Sequence, residues 1–205
     1  MNWSYLLFLR WLALNITGAA ILLTFHLHGM VAPVFLADTS YICFVIALLF
    51  VYGMALCGWR VWKTSRELNH VRNGDGGKIR DFAALSRGVD RESVKEAFEI
   101  KLMARIGFVR YISSSLVMLG LLGTVIGFIM VLTQIPANAV GDASQVGKLV
   151  STLTSGMGVA LYTTLVGAIT NLWLNANYTI LRTGVINLIA AILEAPIADL
   201  QAAQA

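Results

Sequence analysis

Charge is what this sequence has least of. Of 205 residues, 13% are Asp, Glu, Lys or Arg, about half the share in an ordinary soluble domain. Four stretches contain none of them: Trp11 to Ala37, Thr39 to Trp59, Tyr111 to Gly141 and Leu149 to Leu181. No carboxylate or ammonium lies inside these runs, so this chain alone carries no titratable relay through an apolar layer. Cysteine is nearly absent. Cys43 and Cys57 are fourteen residues apart in one apolar stretch, about 21 Å along a helix. They cannot bridge each other and read as buried packing, silent on redox compartment. Of three histidines only His26 and His28 lie near an apolar run. Two ligands two residues apart do not make a metal site.

What is present is hydrophobic. The share is 58% and the mean hydropathy is +0.74, a membrane composition. Each uncharged stretch can hold one spanning helix of about 20 residues. The first is the least clean. Its apolar core runs from Trp11 to Phe25, and His26, His28, Gly29 and Pro33 then look like a turn. A cleaved signal peptide over Met1 to Ala20 is an alternative, although Arg10 sits inside the apolar run instead of before it.

The cations are not scattered. Between the second and third stretches lie twelve Lys and Arg, from Arg60 to Arg110, whereas the turn from His26 to Ser40 has none. The turn after the third stretch has only Lys148, and Arg10 and Arg182 fall on the side of the basic segment. The positive-inside rule then places both termini and that segment in the cytoplasm. Topology accounts for the net charge of +4, and a nucleic-acid role has no place. The expected organisation is a membrane hairpin over 1–62 and a basic cytoplasmic segment over 63–110. Two spans joined by a short outer loop follow over 111–182, then a cytoplasmic helix over 183–205.

Within the basic segment, Trp59 to Val71 reads as an extension of the second span. Asn73 to Lys78 (NGDGGK) is a glycine-rich turn without the spacing of a phosphate loop. From Asp90, a plausible N-cap with Glu92 in the first turn, Val94, Ala97, Phe98, Leu102, Ile106 and Val109 recur at helical spacing. This predicts one long helix that starts in water and enters the membrane. Its other face carries Glu92, Lys95, Glu99 and Arg110; Glu99 and Arg105 are candidates for ion pairs between subunits. Gly184 to Leu200 continues the apolar periodicity of the fourth span, with Glu194, Pro196 and Asp199 near its end.

Small residues mark the last two spans. Gly120, Gly123, Thr124 and Gly127 share one helical face. Gly156, Ala160, Thr163, Thr164, Gly167 and Asn171 lie within a band of roughly 100°. In lipid, helices associate by close packing and interhelical hydrogen bonds, and glycine lets backbones approach. One reading packs these faces on each other within one chain, with threonines bonded back to their own carbonyls. The other has them line a narrow passage. A proton path would then need an acid from a partner.

The two stretches resemble the MotA/TolQ/ExbB proton channel family. The resemblance rests on GLLGTVIGF, Gly120 to Phe128, and GMGVALYTTLVGAI, Gly156 to Ile169, with a basic segment before the first and a short loop between them. It covers mainly Glu99 to Asn177. It implies an all-α polytopic protein with four spans, the last two long and extended into the cytoplasm, assembling as a pentameric ring. The ring would surround two copies of a single-span partner of the MotB/TolR/ExbD kind, whose intramembrane Asp carries a proton or sodium ion. Thr124 and Thr164 match the family threonines that face that Asp, with Gly120, Gly127, Ala160 and Gly167 beside them. Thr163 and Asn171 are added to the path by position, and Gly123 and Gly156 to the contact faces. Tol and Exb members commonly carry a glutamate where this chain has Val159, and they have three spans. Four spans resemble flagellar stators, although the basic segment is short beside theirs. No cofactor, metal or enzymatic chemistry is implied. The rival readings are a haem or quinone anchor, which a reduced-minus-oxidised spectrum tests, and an inert scaffold.

Overall fold

The computed structural model describes residues 6–38, 40–72, 91–133 and 143–194. Five helices follow one another there: α1 Leu6–Leu27, α2 Val31–Ala37, α3 Ile42–Arg72, α4 Arg91–Thr133 and α5 Ala143–Glu194. There is no strand among the described residues. Four helices are long and apolar enough to cross a membrane, and α2 is the exception. The cap expected at Asp90, the NGDGGK turn, the loop over 134–142, and Pro196 and Asp199 lie outside the described residues, as do the side chains of Glu92, Lys95 and Lys148.

The long helix expected from the periodicity after Asp90 is α4, unbroken for 43 residues. Leu102, Ile106 and Val109 are buried as their spacing predicts, whereas Ala97 is exposed. Helix α5 runs for 52 residues. At about 1.5 Å per residue these helices are about 65 and 78 Å long, over twice the roughly 30 Å hydrocarbon core.

The turn after α1 contains more structure than His26, Gly29 and Pro33 suggested. Gly29, at φ 72°, occupies the left-handed region. Its N–H donates to the His26 carbonyl at 3.0 Å, and the Met30 N–H donates to the Phe25 carbonyl at 3.1 Å. This paired closure of the last turn is a Schellman motif. The chain then forms α2. Pro33 is its third residue, where no intrahelical N–H partner is lost. Next, the Asp38 carboxylate accepts from Ser40 N at 3.0 Å, Ser40 Oγ at 2.5 Å and Cys43 N at 2.7 Å. It thereby satisfies an orphan donor in the first turn of α3. Burial alone would push its pKa up, but the hydrogen bonds from Ser40 and Cys43 win and hold it below 3.8. A depressed carboxylate stabilises the fold above its ordinary range, and that contribution is lost as pH falls through the lowered value. Asp38→Ala is expected to cost about 1 kcal/mol. It should also flatten the acid limb of a pH titration of thermal unfolding in detergent.

Contacts divide the chain into two units. The first comprises Met1–Ile16, Met54–Arg110 and Ala176–Ala205. Its core includes Cys57, Val61, Val109, Leu181 and Leu188, all fully buried. Helix α1 is fastened here by shape and by amides. The Trp11 indole lies against Gly58, so close that a methyl there would sit 2.8 Å from ring carbon Cζ2. The Leu7 side chain rests against Gly184 in the same way. Asn15 Nδ2 donates to Asn177 Oδ1 at 2.7 Å and to the Trp11 carbonyl at 2.8 Å. Asn177 is fully buried. Asn15→Leu is expected to cost about 1 kcal/mol, within the measured range for interhelical polar pairs in membranes. Reversible unfolding in mixed micelles checks this value.

The second unit comprises Thr17–Gly53 and Tyr111–Asn175. Cys43, Ile46, Leu116 and Leu174 are fully buried there. Both cysteines are thus buried, each a free thiol. The Trp173 indole lies against Gly18, and its ring centroid is 5.4 Å from that of Phe50. This unit contains both small-residue faces.

Candidate functional site

The two small-residue faces meet each other within one chain. Neighbours pair in opposite directions along α4 and α5, so the helices are antiparallel. Leu116 and Gly120 meet Gly167, Gly120 also meets Thr163 and Thr164, Gly127 meets Ala160, and Val131 meets Gly156. The approach is backbone to backbone. A methyl built on Gly120 would lie 3.1 Å from the Thr163 carbonyl oxygen and 3.3 Å from Gly167 Cα. One on Gly127 would lie 3.1 Å from Ala160 N, and one on Gly167 only 2.7 Å from the Leu116 oxygen. One on Gly123 would meet the Thr163 side chain, at 2.5 Å from its Cβ. A methyl on Gly167 would force the helix backbones apart and those on Gly120 and Gly127 would crowd them, so within this chain the glycines serve close packing of α4 on α5.

The threonines divide by their rotation about α5. Thr163 is fully buried in the seam. Its hydroxyl donates back to the Ala160 and Val159 carbonyls, at 3.0 and 3.2 Å. It therefore faces the helix contact in this chain, not an open path as the sequence reading placed it. Thr164 is half-buried at the edge of the seam. Its Oγ1 crosses to the Gly120 carbonyl at 3.2 Å. Thr124 is also half-buried, and its hydroxyl donates to the Leu121 carbonyl at 2.6 Å. Gly120 and Thr124 are one turn apart on α4. Two hydroxyls thus flank one edge of a glycine seam.

Asn171 does not stand alone. Its Oδ1 accepts from Ser113 Oγ at 2.8 Å, and its carbonyl accepts from the same hydroxyl at 3.2 Å. Ser113 is 2% exposed, so this bond pins α4 to α5 away from water. Sequence reasoning missed Ser113. The signal was available, because Ser113 precedes Gly120 by seven residues and shares its face. Val159, where Tol and Exb members commonly have glutamate, is 4% exposed.

Glu99 is half-buried and Arg105 exposed, both in the first unit. Six residues separate them on α4, which puts them on different faces. His26 and His28 are exposed at the end of α1. His28 Nδ1 lies 2.8 Å from the Thr24 carbonyl oxygen. No cluster of three potential metal ligands occurs among the described residues.

Fold and seam together define a polytopic α-helical membrane protein whose last two helices pack through glycine and carry hydroxyls at the edge of their contact. A family model for the MotA/TolQ/ExbB proton channel family matches residues 75–194. The match takes in the whole of α4 and α5 and more than half the chain. The chain belongs to this family of membrane proton channels. Neither a curated protein nor a solved structure matches it.

Proposed function

We propose that this chain is the ring-forming subunit of a proton- or sodium-driven motor in a bacterial inner membrane. Five copies surround a single-span partner whose intramembrane Asp carries the ion, and ion flow turns one part against the other. Both termini and the basic segment lie in the cytoplasm. Glu99 and Arg105 contribute to contacts between neighbouring subunits.

One observation carries this reading. The Thr164 hydroxyl lies at the seam edge against the Gly120 carbonyl, one turn from Thr124, and both threonines are half-buried. A hydroxyl can donate to a carboxylate and accept from a carboxylic acid, so it serves both protonation states of a passing Asp. The apolar stretches of this chain supply no acid of their own. The buried Thr163 and the bonded pair Ser113–Asn171 hold the seam that presents these hydroxyls.

Co-expression with a single-span protein that carries a lone intramembrane Asp, sought among neighbouring reading frames, tests the assembly. Native mass spectrometry is expected to give five copies of this chain with two of the partner. Proteoliposomes containing that complex are expected to pass ions down a gradient, and Asp→Asn in the partner's span should abolish the flux. Flux that persists in the Asp→Asn complex would sink the reading.

A further inference from the structure

A groove of about 270 Å³ opens in the first unit, where the ends of α3, α4 and α5 come together. Its polar wall carries Arg60, Lys63 and Arg105 with a single carboxylate, Glu67. Three cations against one anion leave the wall basic. Its floor is apolar, built from side chains such as Leu102, Ile106 and Leu188, all buried.

The arginine at its centre is incompletely used. Arg60 Nη1 donates to the Arg105 carbonyl oxygen. Its Nε is buried and has no hydrogen-bond partner. A buried guanidinium donor without an acceptor costs free energy unless something fills the position. The missing partner is an acceptor, and the surrounding charge favours an anionic one. Lys63 Nζ stands 5.5 Å from the Trp59 ring centroid, held beside the groove by a cation–π contact.

The setting decides which anion. Trp59 and Trp62 are more than half exposed at the end of the apolar part of α3. Tryptophans at that position mark the level of lipid headgroups. A soluble anion would need no apolar floor beside the cations. A lipid has both parts, a phosphate for the guanidinium and acyl chains for the apolar surface. We propose that this groove binds the phosphodiester headgroup of an anionic phospholipid, with Arg60 and Lys63 on the phosphate and Trp59 at the interface. The inference needs only that the chain spans a membrane, and stands or falls separately from the motor reading.

The test is a titration of the intact purified complex in detergent, read as bound lipid by native mass spectrometry. Dioleoyl phosphatidylglycerol is expected to bind at least fivefold tighter than dioleoyl phosphatidylcholine. Near a membrane surface each cation is worth about a fivefold change in affinity for anionic lipid. Lys63→Gln, at an exposed position, should therefore weaken phosphatidylglycerol about fivefold and leave phosphatidylcholine unchanged. Arg60→Gln should weaken it at least as much. If Arg60→Gln does not assemble, Lys63→Gln still decides. Equal binding of the two lipids would overturn the proposal, and so would unchanged binding in Lys63→Gln. Displacement of the lipid by millimolar inorganic phosphate would show a free-anion site instead. No phosphatidylglycerol bound to the intact complex would overturn the proposal as well.

Discussion

Gly167→Leu is expected to leave almost no assembled protein in the membrane. A methyl at this position would lie 2.7 Å from the Leu116 carbonyl oxygen and 3.0 Å from Gly120 Cα. Both are helix backbone atoms. They cannot rotate aside as a side chain would, so α4 and α5 must separate. Separation is costly in lipid, where the helices are held by close packing and not by flight from water. It also lengthens the Ser113–Asn171 bond and removes Gly120 from Thr164. Overpacking a core typically costs 1–3 kcal/mol. With backbone atoms of two α4 residues against it, Leu should cost at least about 3 kcal/mol. Gly107→Ala makes the control, since nothing lies within 4 Å of a methyl there. Removing a mid-helix glycine should stabilise that segment by up to about 1 kcal/mol. Membrane-fraction yield and the elution volume of the detergent-solubilised complex read both outcomes. A normally sized Gly167→Leu complex at ordinary yield would mean that the seam is not the contact described above.

Thr164→Val is expected to do the opposite, leaving assembly intact and slowing the ion. Valine has nearly the shape of threonine, so the half-buried edge stays filled. The Gly120 carbonyl loses one donor but keeps its place in the α4 backbone ladder, so the stability cost should stay below about 1 kcal/mol. On the function proposed above, the loss falls on the partner's carboxylate. A hydrogen bond to a charged group contributes about 1.5–3 kcal/mol, which corresponds to a fall in flux of about ten- to a hundredfold. Thr163→Val supplies the comparison. Its hydroxyl serves only its own helix carbonyls inside the seam, so flux should change little. Proteoliposome flux normalised to the amount of complex separates the two variants. Equal losses in both would assign the hydroxyls a packing role and remove Thr164 from the path.

The contrast between these adjacent threonines marks where sequence reading ends. Spacing identified the glycine stripe on α4 and the matching stripe on α5, because 3.6-residue periodicity is a property of one helix. It could not say which surface each stripe met. Neighbouring residues on a helix differ by about 100°. A band of that width held both Thr163 and Thr164, and only the rotation of α5 against α4 puts one inside the seam and the other at its edge. The four spans were legible for a simpler reason, since charge is excluded from them and length is set by the bilayer. Helix α2 was not, because Gly29 and Pro33 read as breakers. Gly29 does end α1, but proline in a first turn is harmless. Asp38 also escaped notice. Its work at the start of α3 depends on a turn that brings Ser40 and Cys43 to one carboxylate. Arg60 and Lys63 read only as markers of orientation, and Arg105 as a marker and a candidate for an ion pair between subunits, because the groove joins three helices distant in sequence.

The fastening of α1 bears on how the chain is completed during synthesis. The Asn15–Asn177 bond joins residues 162 positions apart, and Gly184, the seat of Leu7, is made later still. At a typical 5–20 residues per second, translation alone separates Asn15 from Asn177 by about ten to thirty seconds. During that interval Asn15 has no Asn177 to meet, although its amide can already donate to the Trp11 carbonyl one turn back in its own helix. A helix made early in this stretch is thus fastened only once a helix made much later is present.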